Sequence, residues 1–72
     1  MNYIDDSVVI DFKVPRSVES MMEYCEKADR EESYGAYNTL AESLVWSIAK
    51  EAYATGGITK KQWETIERRY PL

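Results

Sequence analysis

Seventy-two residues allow one domain, and a chain this short buries only about 60–65% of the surface its unfolded form exposes, so its stability margin is a few kcal/mol. A single cysteine, Cys25, excludes an intramolecular disulfide, and the absence of histidine together with the lack of any calcium-loop spacing predicts no metal or other cofactor. The net charge of −4 argues against nucleic acid as a non-specific partner, because phosphate neutralisation supplies most of that affinity.

The charge is unevenly placed. Residues 1–58 hold eleven acidic and five basic side chains, whereas residues 59–72 add Lys60, Lys61, Arg68 and Arg69 against Glu64 and Glu67. No apolar run approaches the roughly 20 residues of a membrane span, which predicts no membrane association. The start, Met1-Asn2-Tyr3-Ile4-Asp5-Asp6, is acidic where a secretory signal is basic and then apolar. A cytoplasmic protein is expected, and a lone reduced cysteine agrees with that.

Residues 8–14 alternate. Val8, Ile10, Phe12 and Val14 point one way, and Val9, Asp11 and Lys13 the other, the period of a half-buried strand. One strand has no partner within so small a chain. It pairs with a strand of another subunit or lies as an extended arm across helices.

Pro15 suits a first helical turn, and the first helix is predicted over about 15–29. Val18, Met21, Met22, Cys25 and Ala28 form one stripe at helical spacing. Glu23 with Lys27, and Glu26 with Arg30, are one-turn ion pairs off that stripe.

The second helix starts between Ser33 and Asn38 and ends at Gly56-Gly57, a left-handed cap signal. Stepped at about 100° per residue, Leu40, Leu44, Ile48, Ala41, Ala52, Val45, Ala49, Tyr53 and Trp46 span roughly 240° of its circumference. So wide a stripe predicts contact from several sides. Trp46 lies about 200° from Leu44, so a separate element has to shield it. The candidates are the N-terminal segment with Ile10 and Phe12, a second copy of the chain, and a foreign protein.

The third helix carries the clearest local signals. Thr59 and Gln62 make a capping box, and Ile58 and Trp63 occupy the positions of a hydrophobic staple. Trp63, Ile66 and Tyr70 form its inward stripe, and Pro71 ends it. The short Gly-Gly-Ile-Thr connection makes helices two and three a hairpin.

No catalytic constellation emerges. Cys25 lacks a histidine base and lies on an apolar stripe, as a buried thiol does. Asp5-Asp6 and Glu31-Glu32 are neighbours on exposed connections, not a desolvated acid–base pair. Gly56-Gly57 before Thr59-Lys60-Lys61 lacks phosphate-loop spacing and reads as a C-cap followed by an N-cap.

The order strand, helix, helix resembles that of ribbon–helix–helix dimers, in which paired strands read the DNA major groove. The outward face here would present Val9, Asp11 and Lys13, and an aspartate facing phosphates is unfavourable. The whole chain also resembles small uncharacterised proteins of bacterial phages and integrative elements. That resemblance rests on the acidic start, Val14-Pro15, Tyr34-Gly35-Ala36-Tyr37-Asn38, Gly57-Ile58-Thr59-Lys60-Lys61-Gln62-Trp63 and Arg69-Tyr70. It implies an accessory or regulatory role, including inhibition of host defence by binding protein, and it transfers no site residue.

The expectation is an all-α or mainly α, three-helix domain preceded by a short N-terminal strand or extended arm. Its expected function is non-enzymatic protein–protein interaction, with a protein partner or by self-association as a homodimer. The candidate interface comprises Trp46, Tyr53, Ile10 and Phe12, and no small-molecule ligand is expected. The alternative is a dimeric ribbon–helix–helix-like DNA-binding regulator.

Overall fold

The first helix, α1 (Arg16–Arg30), begins just after Pro15, which takes the N-cap position instead of the first helical turn. The predicted stripe is its inward face: Val18, Cys25 and Ala28 are buried, and Met21 and Met22 are half-buried. Glu26, expected to face Arg30, instead accepts a hydrogen bond from the Tyr70 hydroxyl at 2.9 Å. The computed structural model describes residues 3–72; Met1 and Asn2 of the acidic start lie outside the described residues.

α1 ends in a turn that its sequence does not advertise. Ser33 N–H returns to the Ala28 carbonyl and Glu32 N–H to the Asp29 carbonyl, the paired bonds of a Schellman cap. The left-handed position of that cap falls on Glu32, at φ 55°, where glycine is usual.

The second helical run starts directly afterwards, as α2 (Tyr34–Ser43), and continues to Ala54 without a loop. It is not uniform. A π-turn (Leu44–Ile48) separates α2 from α3 (Ala49–Ala54), and the Ala49 N–H reaches the Leu44 carbonyl, one residue beyond α-helical spacing. Winding wider here rotates the following residues back toward the core. Ala49 and Ala52 thereby bury alongside Tyr37, Ala41, Leu44 and Val45, while Ile48 is half-buried and Trp46 and Tyr53 face outward. The wide apolar arc expected from a constant angular step is thus narrower in the folded chain.

Gly56 (φ 83°) closes α3, with Gly57 N–H bonded to the Ala52 carbonyl at 2.7 Å and Gly56 N–H to the Tyr53 carbonyl at 3.1 Å. Gly57 has a different reason to be glycine: a Cβ there would meet Pro15 Cγ at 3.1 Å. The last helix, α4 (Lys60–Arg69), starts with the expected capping box. Gln62 N–H donates to Thr59 Oγ1 at 3.1 Å, and Thr59 N–H donates to Gln62 Oε1 at 2.9 Å. Ile58, Ile66 and Tyr70 are buried.

Of the two expectations for the N-terminal segment, the extended arm is what forms. Residues 8–14 are not a strand; the chain bends at Phe12, and among the described residues the backbone of residues 9–14 makes no hydrogen bond. Without a partner strand, period-2 alternation records only which side chains face the helices. Val8, Ile10, Phe12 and Val14 are half-buried, and Val9 is 66% exposed. The arm is held elsewhere. Tyr3 and Ile4 N–H groups donate to the Asp29 carboxylate, Asp5 N–H donates to the Arg69 carbonyl, and the Arg69 guanidinium donates to the Val8 carbonyl at 2.8 Å.

Candidate interaction surface

The tight turn between α3 and α4 decides what lies beside Trp46. Tyr53 lies in the last turn of α3 and Trp63 in the first turn of α4, so the short connection brings the two side chains together. Their rings stack, with centroids 5.3 Å apart and planes 18° from parallel. Trp46 meets the other side of the group, 5.9 Å from Trp63 at 86°. These separations suit the two preferred aromatic geometries, offset stacking and edge-to-face contact.

The group is tied to the backbone at the π-turn. Trp63 Nε1–H donates to the Val45 carbonyl at 2.9 Å. In a regular α-helix that carbonyl would receive the Ala49 N–H, which here bonds Leu44. The indole therefore supplies a donor to the acceptor that the π-turn withdraws from its usual partner. That bond fixes the Trp63 ring, and the Trp63 ring in turn positions both neighbours.

The outer rings remain accessible, Trp46 at 49% and Tyr53 at 39%. Neither the Trp46 indole N–H nor the Tyr53 hydroxyl has a hydrogen-bond partner among the described residues. Exposed lysines and glutamates neighbour the rings along the helices. Lys50 lies one turn before Tyr53 in α3, and Lys60 one turn before Trp63 in α4. Glu67 lies one turn beyond Trp63 in α4, at the end away from the Gly-Gly turn, and exposed Glu42 closes α2 four residues before Trp46.

The four expected interface residues therefore fall on two surfaces. Trp46 and Tyr53 come together around Trp63. Ile10 and Phe12 lie elsewhere: Phe12 is beside Thr59, Gln62 and Thr65 on the opposite flank of α4, and Ile10 lines a groove of about 400 Å³ with Met22, Glu26 and Arg69. The arm does not shield Trp46; Trp63 does. Sequence reading placed Trp63 on the inward stripe of its helix and omitted it from the surface. Its place in the first turn after a short connection from the helix of Tyr53 was the available signal.

The remaining chemical candidates have structural surroundings. Burial, with Glu26 adding to it, pushes the Cys25 thiol up to about 12, so it stays protonated at neutral pH and is a poor nucleophile. Asp5 accepts hydrogen bonds from the Ser7 hydroxyl and backbone N–H, which hold its carboxyl below its usual value. Asp6 lies 3.9 Å from Arg69, and Glu32 forms the left-handed cap of α1. Among the described residues no group of three metal-ligating side chains assembles, and no helix is long and apolar enough to cross a membrane. Compared with protein-family models, characterised proteins and solved structures, the chain matches none.

Proposed function

We propose that this chain is a non-enzymatic protein-interaction module whose docking face is the Trp46–Tyr53–Trp63 cluster. The observation that carries the reading is a large aromatic surface that is fixed by the Trp63–Val45 bond and left open on its outer side. Rigid aromatics supply contact area at little entropic cost, and tryptophan and tyrosine are enriched among residues that dominate binding energy. The resemblance described above implies an accessory or regulatory setting of the same kind. Ribbon–helix–helix pairing is less favoured. It requires residues 8–14 to straighten at Phe12 and to give up the seat held by the Arg69–Val8 bond.

Trp46→Ser tests the proposal. The variant should keep its helical circular dichroism and a cooperative melt, because the ring is half-exposed, while self-association or binding to the protein partner is lost. A variant that folds and associates like the parent would remove this face from the account.

A further inference from the structure

The N-terminal arm is tied firmly at its ends and lightly between them. At one end Ile4 is buried, and the Tyr3 and Ile4 N–H groups donate to the Asp29 carboxylate. At the other end Pro15 is seated against Gly57, where an added Cβ would come within 3.1 Å of the proline ring. Between these anchors, residues 5–8 form a turn closed on itself. The Val8 N–H donates to the Asp5 carbonyl at 3.1 Å, and the Ser7 N–H and hydroxyl donate to the Asp5 carboxylate. The bonds of this turn to α4 converge on Arg69. The Arg69 carbonyl accepts from the Asp5 N–H at 2.9 Å, its guanidinium donates to the Val8 carbonyl at 2.8 Å, and Asp6 lies 3.9 Å from that guanidinium. From Val9 to Val14 no backbone hydrogen bond adds to the hold among the described residues. Phe12 stands there between two hollows, one of about 400 Å³ toward Met22 and one of about 300 Å³ toward Thr59 and Gln62. The arm thus covers a seam between α1 and α4, which make few direct contacts with each other.

We infer that residues 5–14 are a flap, hinged at Ile4 and Pro15 and latched by Arg69, which lifts while the helices stay folded. A segment with half-buried side chains and no backbone ladder belongs to the low end of local stability. The latch is compact: one residue holds the whole turn, so its release frees the turn in a single step. Lifting joins the two hollows into one cleft along the α1–α4 seam. It leaves the Arg69 guanidinium facing Glu26, which lines the same groove. Neither hollow is lined by Trp46, Tyr53 or Trp63, so the flap is a device separate from the aromatic face.

Limited trypsin digestion of the full chain tests this by comparing two sites, Lys13 in the flap and Lys27 in the last turn of α1. Cleavage needs the surrounding segment to leave its seat, so its rate follows the open population when closing outpaces cutting. In native buffer the cut after Lys13 should be about a hundredfold faster than the cut after Lys27. It should also rise only weakly with urea, because lifting exposes little surface. Arg69→Met removes the charged donor and should speed the Lys13 cut about ten- to a hundredfold, with its weak urea dependence kept. Arg69→Lys keeps one charged donor and should fall between, and Arg68→Met, at the exposed neighbour, should change nothing. Equal rates and equal urea dependence at Lys13 and Lys27 would overturn the flap, because the arm would then open only with the whole domain. So would a steep urea dependence of the Lys13 cut in Arg69→Met. A Lys13 cut that Arg69→Met does not speed, or that Arg68→Met speeds as much, would overturn Arg69 as the latch.

Discussion

Trp63 Nε1–H and the Val45 carbonyl, 2.9 Å apart, join the last helix to the π-turn of the second helical run. This one bond connects an irregularity in the backbone to the only large aromatic cluster that the described residues present around a tryptophan pair. π-turns within α-helices recur at functional sites, and here the turn both re-aims Trp46 and offers the acceptor that fixes Trp63.

Replacing Trp63 with phenylalanine isolates that bond. Trp63→Phe keeps an aromatic ring and removes the donor to the part-buried Val45 carbonyl. The expected loss is about 1–3 kcal/mol in urea denaturation, at the upper end if water does not reach Val45. The resonances of residues 44–49 should shift more than those of α1. An unchanged midpoint would mean that the π-turn is stable without the indole.

Leu44→Ala tests the core. Leu44 is fully buried at the start of the π-turn, and its truncation should cost about 2–5 kcal/mol, comparable with the whole stability of a domain this small. Circular dichroism should find the variant largely unfolded at room temperature. A cooperative melt close to the parent's would place the core elsewhere.

Glu32 stands where the cap of α1 requires a left-handed residue. That conformation costs an L-residue with a Cβ about 1–2 kcal/mol, and glycine's greater freedom in the unfolded chain returns roughly 0.5–1 of it. Glu32→Gly should therefore stabilise by about 0.5–1 kcal/mol in thermal melts, whereas Glu32→Ala should show no such gain. Destabilisation by glycine would mean that the interactions of the Glu32 side chain outweigh the backbone strain.

Stability should fall in alkali. Burial raises the Tyr37 and Tyr70 hydroxyls above their ordinary 10.0 and the Cys25 thiol from 9.0 to about 12. For each group the folded state holds its proton more tightly than the unfolded chain. The associated stability is complete below the unfolded value and is lost as pH rises through the folded one. The urea midpoint should be flat up to about pH 9, judged from the ordinary thiol value, and should decline above it. Tyr70→Phe should lower the midpoint at neutral pH by removing the bond to Glu26, yet shallow the alkaline decline. An equally steep decline in that variant would assign the effect to other groups.

Much of this architecture was legible because it is local. The capping box at Thr59 and Gln62, the Gly56 cap and the stripes of α1 and α4 each depend on residues within a turn or two of one another. What escaped the sequence is what depends on partners distant in the chain. Nothing between Leu44 and Ile48 marks a π-turn, because the indole that completes it lies on another helix. Glu32 is left-handed where no glycine or asparagine announces it. The alternation of residues 8–14 describes an arm on a surface as well as it describes a strand, and only a bonding partner distinguishes the two. The interface candidates divided for the same reason: Ile10 and Phe12 were joined to Trp46 by hydrophobicity alone, whereas Trp63 joins it through space.

The proposed function requires association to use the Trp46 face and not apolar exposure in general. Trp46→Ser, Val9→Ser and Tyr24→Ser each remove an exposed apolar side chain, and they lie on α2–α3, the arm and α1 respectively. The decisive measurement is binding of the protein partner, or solution mass across a range of concentrations, for these three variants beside their melts. All three should remain folded, and Trp46→Ser alone should lose association. Loss in Val9→Ser or Tyr24→Ser with Trp46→Ser unaffected would contradict the account and move the interface to another surface.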